Sequence, residues 1–197
     1  MSIKSRRSLK NILNLVSEAG MLKRVPRSGW SVLGIKNAES VADHSFRCAV
    51  IGYALAHLEN VAPYKVLLMT IFNDLHEARI TDLHKMAQRY IDADMVEDKS
   101  YFEQISVLPK GMKSELSGAR KEYKRQATKE SIIARDADIL ECLIQAKEYL
   151  EQGFSGAVKF TKKAPRFLKT QSARKLWSLA KNMNLEDWWF GLSGFKR

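Results

Sequence analysis

From Ser131 to Gln152 the chain carries one uninterrupted helical pattern, in which Ile132, Ile139, Leu143 and Leu150 form a stripe widened by Ile133, Leu140 and Ile144. Gly153 ends it. Nothing elsewhere in the chain argues for strands, which need β-branched and aromatic runs bounded by turn residues. Long stretches rich in Ala, Leu, Lys, Glu and Arg predict further helices instead. The prolines, Pro26, Pro63, Pro109 and Pro165, all fall where a helix can start or stop. The fold class expected is all-α.

The remaining helices follow from the same periodicity. Leu9, Ile12, Leu13, Val16 and Ala19 predict a helix from about Ser8 to Ala19, and Gly20 stops it. A loop from Lys23 to Asn37 is broken by Pro26, Gly29 and Gly34 and is unusually rich in functional side chains, with Arg24, Arg27 and Trp30. From Ser40 to Leu58 apolar residues fall almost all round, at Val41, Phe46, Val50, Tyr53, Leu55 and Leu58, which predicts a buried helix. Pro63 opens another, buried over Val66 to Phe72. A short helix is expected over Leu83 to Ile91, an exposed charged one over Gly111 to Lys129, and a last one over Ser172 to Asn182. The segment Asp92 to Leu108 has no clear pattern. The adjacent aromatics Trp188, Trp189 and Phe190 are expected to dock onto the domain. With 197 residues, 45% of them apolar, and no repeat or linker, one domain over 1–197 is expected, residues 165–197 packing on its core.

A net charge of +11 concentrates anions near the surface. No zinc-finger spacing or basic-plus-aromatic motif accompanies it, so nucleic acid is an unlikely partner. Cys48 and Cys142 lie inside apolar helical patterns and read as buried thiols of a reducing compartment. The basic stretch Met1 to Lys10 lacks the apolar core of a signal peptide, and no apolar run reaches about 20 residues. A cytoplasmic protein without a membrane span is expected.

The chemistry concentrates where an apolar run ends in Asn73-Asp74-Leu75-His76-Glu77. Polar groups closing a buried run need partners. Asp74 and Glu77 share a helix face and would repel each other unless a cation or a proton intervenes. His44 projects from a second buried helix beside Cys48, Ile51 and Leu55. A third acid comes from the long helix, where the wheel places Asp136 mid-stripe and Asp138 at its edge.

The order His44, Asn73–Asp74, then a late Asp resembles the HD-domain superfamily, whose pattern is His, His-Asp, Asp on an all-α bundle. The similarity is closest to its 5′-deoxynucleotidase branch. It is carried by the Arg- and Trp-containing loop, Glu39-Ser-Val-Ala-Asp-His44, Asp74-Leu-His-Glu-Ala-Arg79 with Asp82, and Ala137-Asp138-Ile-Leu-Glu141 before Ala146-Lys-Glu-Tyr149, over about residues 9 to 153. The resemblance implies a divalent cation (manganese, cobalt or magnesium) held by His44, Asn73, Asp74 and Asp138. It implies Glu77 as the acid that takes a proton from the attacking water and Asp82 near the leaving sugar oxygen. Arg27, Trp30 or Arg24 would contact the nucleotide. A homodimer is implied too, with the apolar residues near Tyr101 to Leu108 as its interface. One position departs from the pattern: Asn73 stands where the family has histidine. The expected activity is removal of the 5′-phosphate from (deoxy)nucleoside monophosphates; the alternative is a weakened or inactive nucleotide-binding protein.

Overall fold

A computed structural model describes residues 3–190 and 192, with side-chain burial for 5–189 and 192. Met1, Ser2, Gly191 and residues 193–197, parts of the two terminal segments read above, lie outside it, as do the side chain of Phe190 and the docking expected of it. Among the described residues there is no strand, and an isolated antiparallel bridge pairs Pro26 with Ser40. The helices are α1 (Ile3–Met21), α2 (Ser28–Ser31), α3 (Val41–Leu58), α4 (Pro63–Phe72), α5 (Glu77–Ile80), α6 (Ala93–Ser106), α7 (Lys110–Arg125), α8 (Lys129–Glu151), α9 (Val158–Lys163), α10 (Gln171–Ala180) and α11 (Asp187–Phe190).

The main core lies between α3, α4, α7, α8 and α10, where Leu55, Val66, Met69, Ile133, Ala137, Leu140, Leu143 and Trp177 pack together. α3 and α8 start at reciprocal caps, Ser40 with Asp43 and Thr128 with Ser131, which satisfy backbone N–H groups the helix itself leaves free. Gly52 of α3 allows α4 to come close: a Cβ there would sit 3.0 Å from Val66 Cγ1 and 3.1 Å from Thr70 Cγ2. A second cluster joins α1 to α6 and α7 through Leu15, Tyr101, Ile105, Leu108 and Leu116.

Several expectations need correction. α3 is not buried all round: Val41 and Leu55 are enclosed, but Phe46 is 73% exposed, and Val50, Tyr53 and Leu58 are open as well. Leu83 to Ile91 forms only a 3-10 turn at Ala87–Arg89, because Met86, Tyr90 and Ile91 find no core to enter. The unpatterned stretch 92–108 contains α6, begun by Asp92, whose side chain caps Met95 N. Tyr101, Ile105 and Leu108 of the expected interface are buried within the domain, while Val107 beside them is exposed. α7 is not simply an exposed helix, since Leu116, Ala119, Arg120 and Tyr123 are buried. Trp188 is 71% exposed rather than docked.

Asp136 is buried mid-stripe, as the wheel indicates, and its role is structural. Its carboxylate accepts hydrogen bonds from Lys169 N, Thr170 N and Thr170 Oγ1, tying the start of α10 to α8. Asp136→Ala leaves those backbone donors without their acceptor. It should cost about 3 kcal/mol, lowering the thermal midpoint by several degrees while leaving metal affinity unchanged.

Candidate metal centre and active-site cavity

Three side chains from three helices or helix ends converge: His44 on α3, Asp74 just past α4, and Asp138 on α8. His44 Nε2 lies 3.5 Å from Asp74 Oδ2 and 3.2 Å from Asp138 Oδ1. In each carboxylate the other oxygen is held elsewhere. Asp74 Oδ1 accepts from Asn73 Nδ2 at 2.7 Å, and Asp138 Oδ2 accepts from Tyr123 Oη at 3.2 Å and Arg135 at 2.9 Å. The imidazole is fixed from behind, with Nδ1 paired to Glu141 Oε2, while Glu141 Oε1 accepts from Arg47 Nε at 2.9 Å. Glu141 is wholly buried. A carboxylate behind a histidine fixes the ring orientation and directs the far nitrogen forward.

His44 Nε2 stands 3.2–3.5 Å from an oxygen of each acid, a spacing that suits a nitrogen and an oxygen each about 2.0–2.2 Å from one small divalent ion. The donor set fits such a cation. Burial opposes a charged His44, yet the Cys48 thiol and Asp138 beside it hold its pKa well above the ordinary value. Burial likewise opposes ionised Asp138, but His44 and Arg135 keep it below the usual carboxylate range. His44, Cys48 and Glu141 also lie close enough together to suggest a second cluster. Both Glu141 oxygens are already taken by His44 and Arg47, and burial pushes the Cys48 thiol up to about 12, so this group is a hydrogen-bonded support.

Asp74 and Asp138 open onto a cavity of about 1020 Å³, with Arg27, Glu77, Asp82 and Arg120 also in its wall, while His44 is buried. Glu77 begins α5, and its Oε2 is buried without a hydrogen-bond partner. Burial, then the charges of Asp74 and Asp82, push its pKa up to about 10. Asp82 Oδ2 accepts from Ser28 N at 2.8 Å and lies 3.8 Å from Arg27 Nε, so it anchors the loop that carries Arg27. Arg27 reaches Asp74 Oδ2 at 3.9 Å.

Trp30 lines the cavity but is only 2% exposed. Its Nε1 donates to Glu39 Oε1, and its ring packs on Tyr149 and Phe160. Arg24 is not in the cavity wall; it is exposed and turned toward Met21, which leaves Arg27 as the loop's cation at the site. His76 is buried with Nδ1 against Asn73 O and Nε2 3.8 Å from Glu97 Oε2, and burial lowers its pKa to about 3.

Reading the sequence did not single out Glu141, Arg47, Tyr123, Arg135 or Arg120. One of them carried a detectable signal: Arg120 sits among Leu116, Ala119 and Tyr123 at helical spacing.

An all-helical bundle bearing this constellation defines a class, and the HD-domain family model matches residues 19–177. The chain belongs to the HD-domain family. Among similar proteins, a human protein named 5′-deoxynucleotidase HDDC2 is 29% identical over 144 residues, 73% of this chain and 69% of its own. A conserved hypothetical protein from Pyrococcus furiosus has a solved structure 35% identical, with a TM-score of 0.72, covering 86% of this chain and 96% of that one. A Magnetospirillum magnetotacticum protein described as a predicted metal-dependent phosphohydrolase shares the fold at 20% identity, with a TM-score of 0.72 over 91% of this chain and 94% of its own.

Proposed function

We propose that the chain is a metal-dependent phosphohydrolase that releases the 5′-phosphate of deoxynucleoside monophosphates. The observation that carries this is the approach of Asp74 Oδ2 and Asp138 Oδ1, both in the wall of a cavity large enough for a nucleotide, to the buried His44 Nε2. The human relative named as a 5′-deoxynucleotidase supports the substrate class.

His44, Asp74 and Asp138 would hold the cation, with Asn73 adjoining them; manganese, cobalt and magnesium are the candidates. Such an ion polarises a phosphoryl oxygen and lowers the pKa of a nearby water. With the cation offsetting the charges of Asp74 and Asp82, Glu77 would ionise, and its buried oxygen without a partner would accept a proton from the attacking water. Arg27 pairs with the phosphate by charge-assisted hydrogen bonds, steadied by Asp82, which would stand near the leaving sugar oxygen. Trp30 shapes the wall against which the nucleoside rests. Presence of Glu77 disfavours a purely binding role, since binding alone needs no proton acceptor.

Phosphate release from a panel of 5′-mononucleotides, with each of the three metals in turn, tests the reading. Turnover of deoxynucleotides with at least one metal is expected, and none with any metal would remove it.

Among the described residues no helix is long and apolar enough to cross a membrane. Free Cys48 and Cys142 support the cytoplasm as the compartment. A homodimer belongs to the same proposal. Its support is the exposed apolar row Phe46, Val50 and Tyr53 on one face of α3. Sedimentation equilibrium should give twice the chain mass, and a monomer at all concentrations would contradict it.

A further inference from the structure

The asparagine that replaces the family histidine has its own fixed partners. Arg120, on α7, is only 5% exposed. Its Nε donates to Asp98 Oδ1 at 3.0 Å, its Nη2 lies 3.4 Å from Glu97 Oε2, and its guanidinium sits 5.3 Å from the centre of the Tyr101 ring. Nη1 reaches the other way, donating to Asn73 O at 3.0 Å and to Asn73 Oδ1 at 3.3 Å. Arg120 has no acceptor, so it can face only the oxygen of the Asn73 amide. That choice leaves the amide N–H₂ turned toward Asp74, whose Oδ1 accepts at 2.7 Å. The reverse orientation would put N–H against the guanidinium and oxygen against the carboxylate, losing both bonds.

We propose that Asn73 is a positioning residue, set by Arg120, which holds Asp74 Oδ1 and so presents Asp74 Oδ2 toward His44 Nε2. The inference rests on the reading of His44, Asp74 and Asp138 as a metal centre. Asn73 does for Asp74 what Tyr123 and Arg135 do for Asp138: each occupies the outer oxygen and leaves the inner one to bind. The centre is then one imidazole and two carboxylates, a harder set than the two-histidine pattern of the family, and it favours manganese and magnesium over cobalt. A purely structural Arg120 would need only its bond to Asn73 O, which rivets α7 to the end of α4. The second bond, to the side chain, is the one that reaches the site.

Manganese binding to the whole protein, followed by the electron paramagnetic resonance of free Mn²⁺, tests this without any turnover. Asn73→Ala should weaken binding roughly 10- to 100-fold, the range typical for loss of a residue that orients a ligand. The position of the ion separates the two roles: in crystals grown with manganese, a positioning Asn73 keeps all its atoms outside the roughly 2.0–2.3 Å shell of the anomalous peak, whereas a ligand would place Asn73 Oδ1 inside it. Arg120→Lys keeps the buried charge but cannot reach both Asn73 oxygens and Asp98 together; it should weaken manganese several-fold. Combined with Asn73→Ala it should add nothing further, because both changes break one chain of contacts. A peak bound by Asn73 Oδ1, or additive losses in the double variant, would overturn the proposal while leaving the metal centre standing. Failure of the unaltered protein to take up manganese at millimolar concentration would overturn both.

Discussion

Replacing His44, Asp74 or Asp138 singly with alanine should lower phosphate release on the order of 10³-fold or more, and each should abolish metal uptake at micromolar concentration. A thousandfold loss corresponds to about 4 kcal/mol of transition-state stabilisation, a size that removal of a Lewis acid readily produces. The three are expected to behave as one unit. Any double replacement should cost scarcely more than a single one, since the first already empties the site. Asp136→Ala is the matched control: it lies two residues from Asp138 on the same helix, yet its carboxylate serves Lys169 and Thr170. It should lose stability and keep metal affinity.

Glu77→Gln should have opposite effects on activity and stability. Turnover should fall about 10²- to 10⁴-fold, as expected for a lost proton acceptor, with metal affinity nearly intact. Metal-free protein should become more stable. Glu77 ordinarily ionises near 4.5, and in the folded chain its pKa is pushed up to about 10, first by burial and then by Asp74 and Asp82. Between those two pH values the folded state binds the proton that the unfolded state has released. Stability therefore falls as pH rises, by at most about 1.4 kcal/mol per pH unit. Glutamine carries no such proton and removes that slope. In the presence of a chelator, urea unfolding of the variant should exceed the unaltered protein by a few kcal/mol at pH 8 and converge with it near pH 5. Parallel curves at both pH values would show that Glu77 titrates normally.

How much of this could be read from the chain varies with what each residue does. α3, α4 and α8 stand within a residue or two of their expected bounds because Ser40, Pro63 and Gly153 act locally. The burial of α3 was overestimated because periodicity records which residues are apolar and not what covers them. Phe46, Val50 and Tyr53 face no other element of the described chain closely enough to be covered. The helix expected over Leu83 to Ile91 failed for the same reason in reverse: without a surface to pack on, its apolar residues stabilise no helix. Asp136 and Asp138 illustrate the limit most clearly. The wheel ranks them by burial, and the more buried one proves to be a cap for α10, while the ligand candidate sits at the edge where a cavity can reach it. Arg120 and Glu141 escaped notice because a charged residue in a helix is ordinarily a surface residue. Their partners, Asn73 and Asp98 for one and His44 and Arg47 for the other, come from distant parts of the chain.

The central claim is that His44 Nε2, Asp74 Oδ2 and Asp138 Oδ1 bind one divalent ion together. Anomalous scattering from crystals grown with manganese measures this directly. The account predicts a peak about 2.0–2.3 Å from all three atoms. A peak bound instead by Glu97 and Asp98, or none beside His44 in manganese-saturated crystals, would contradict it.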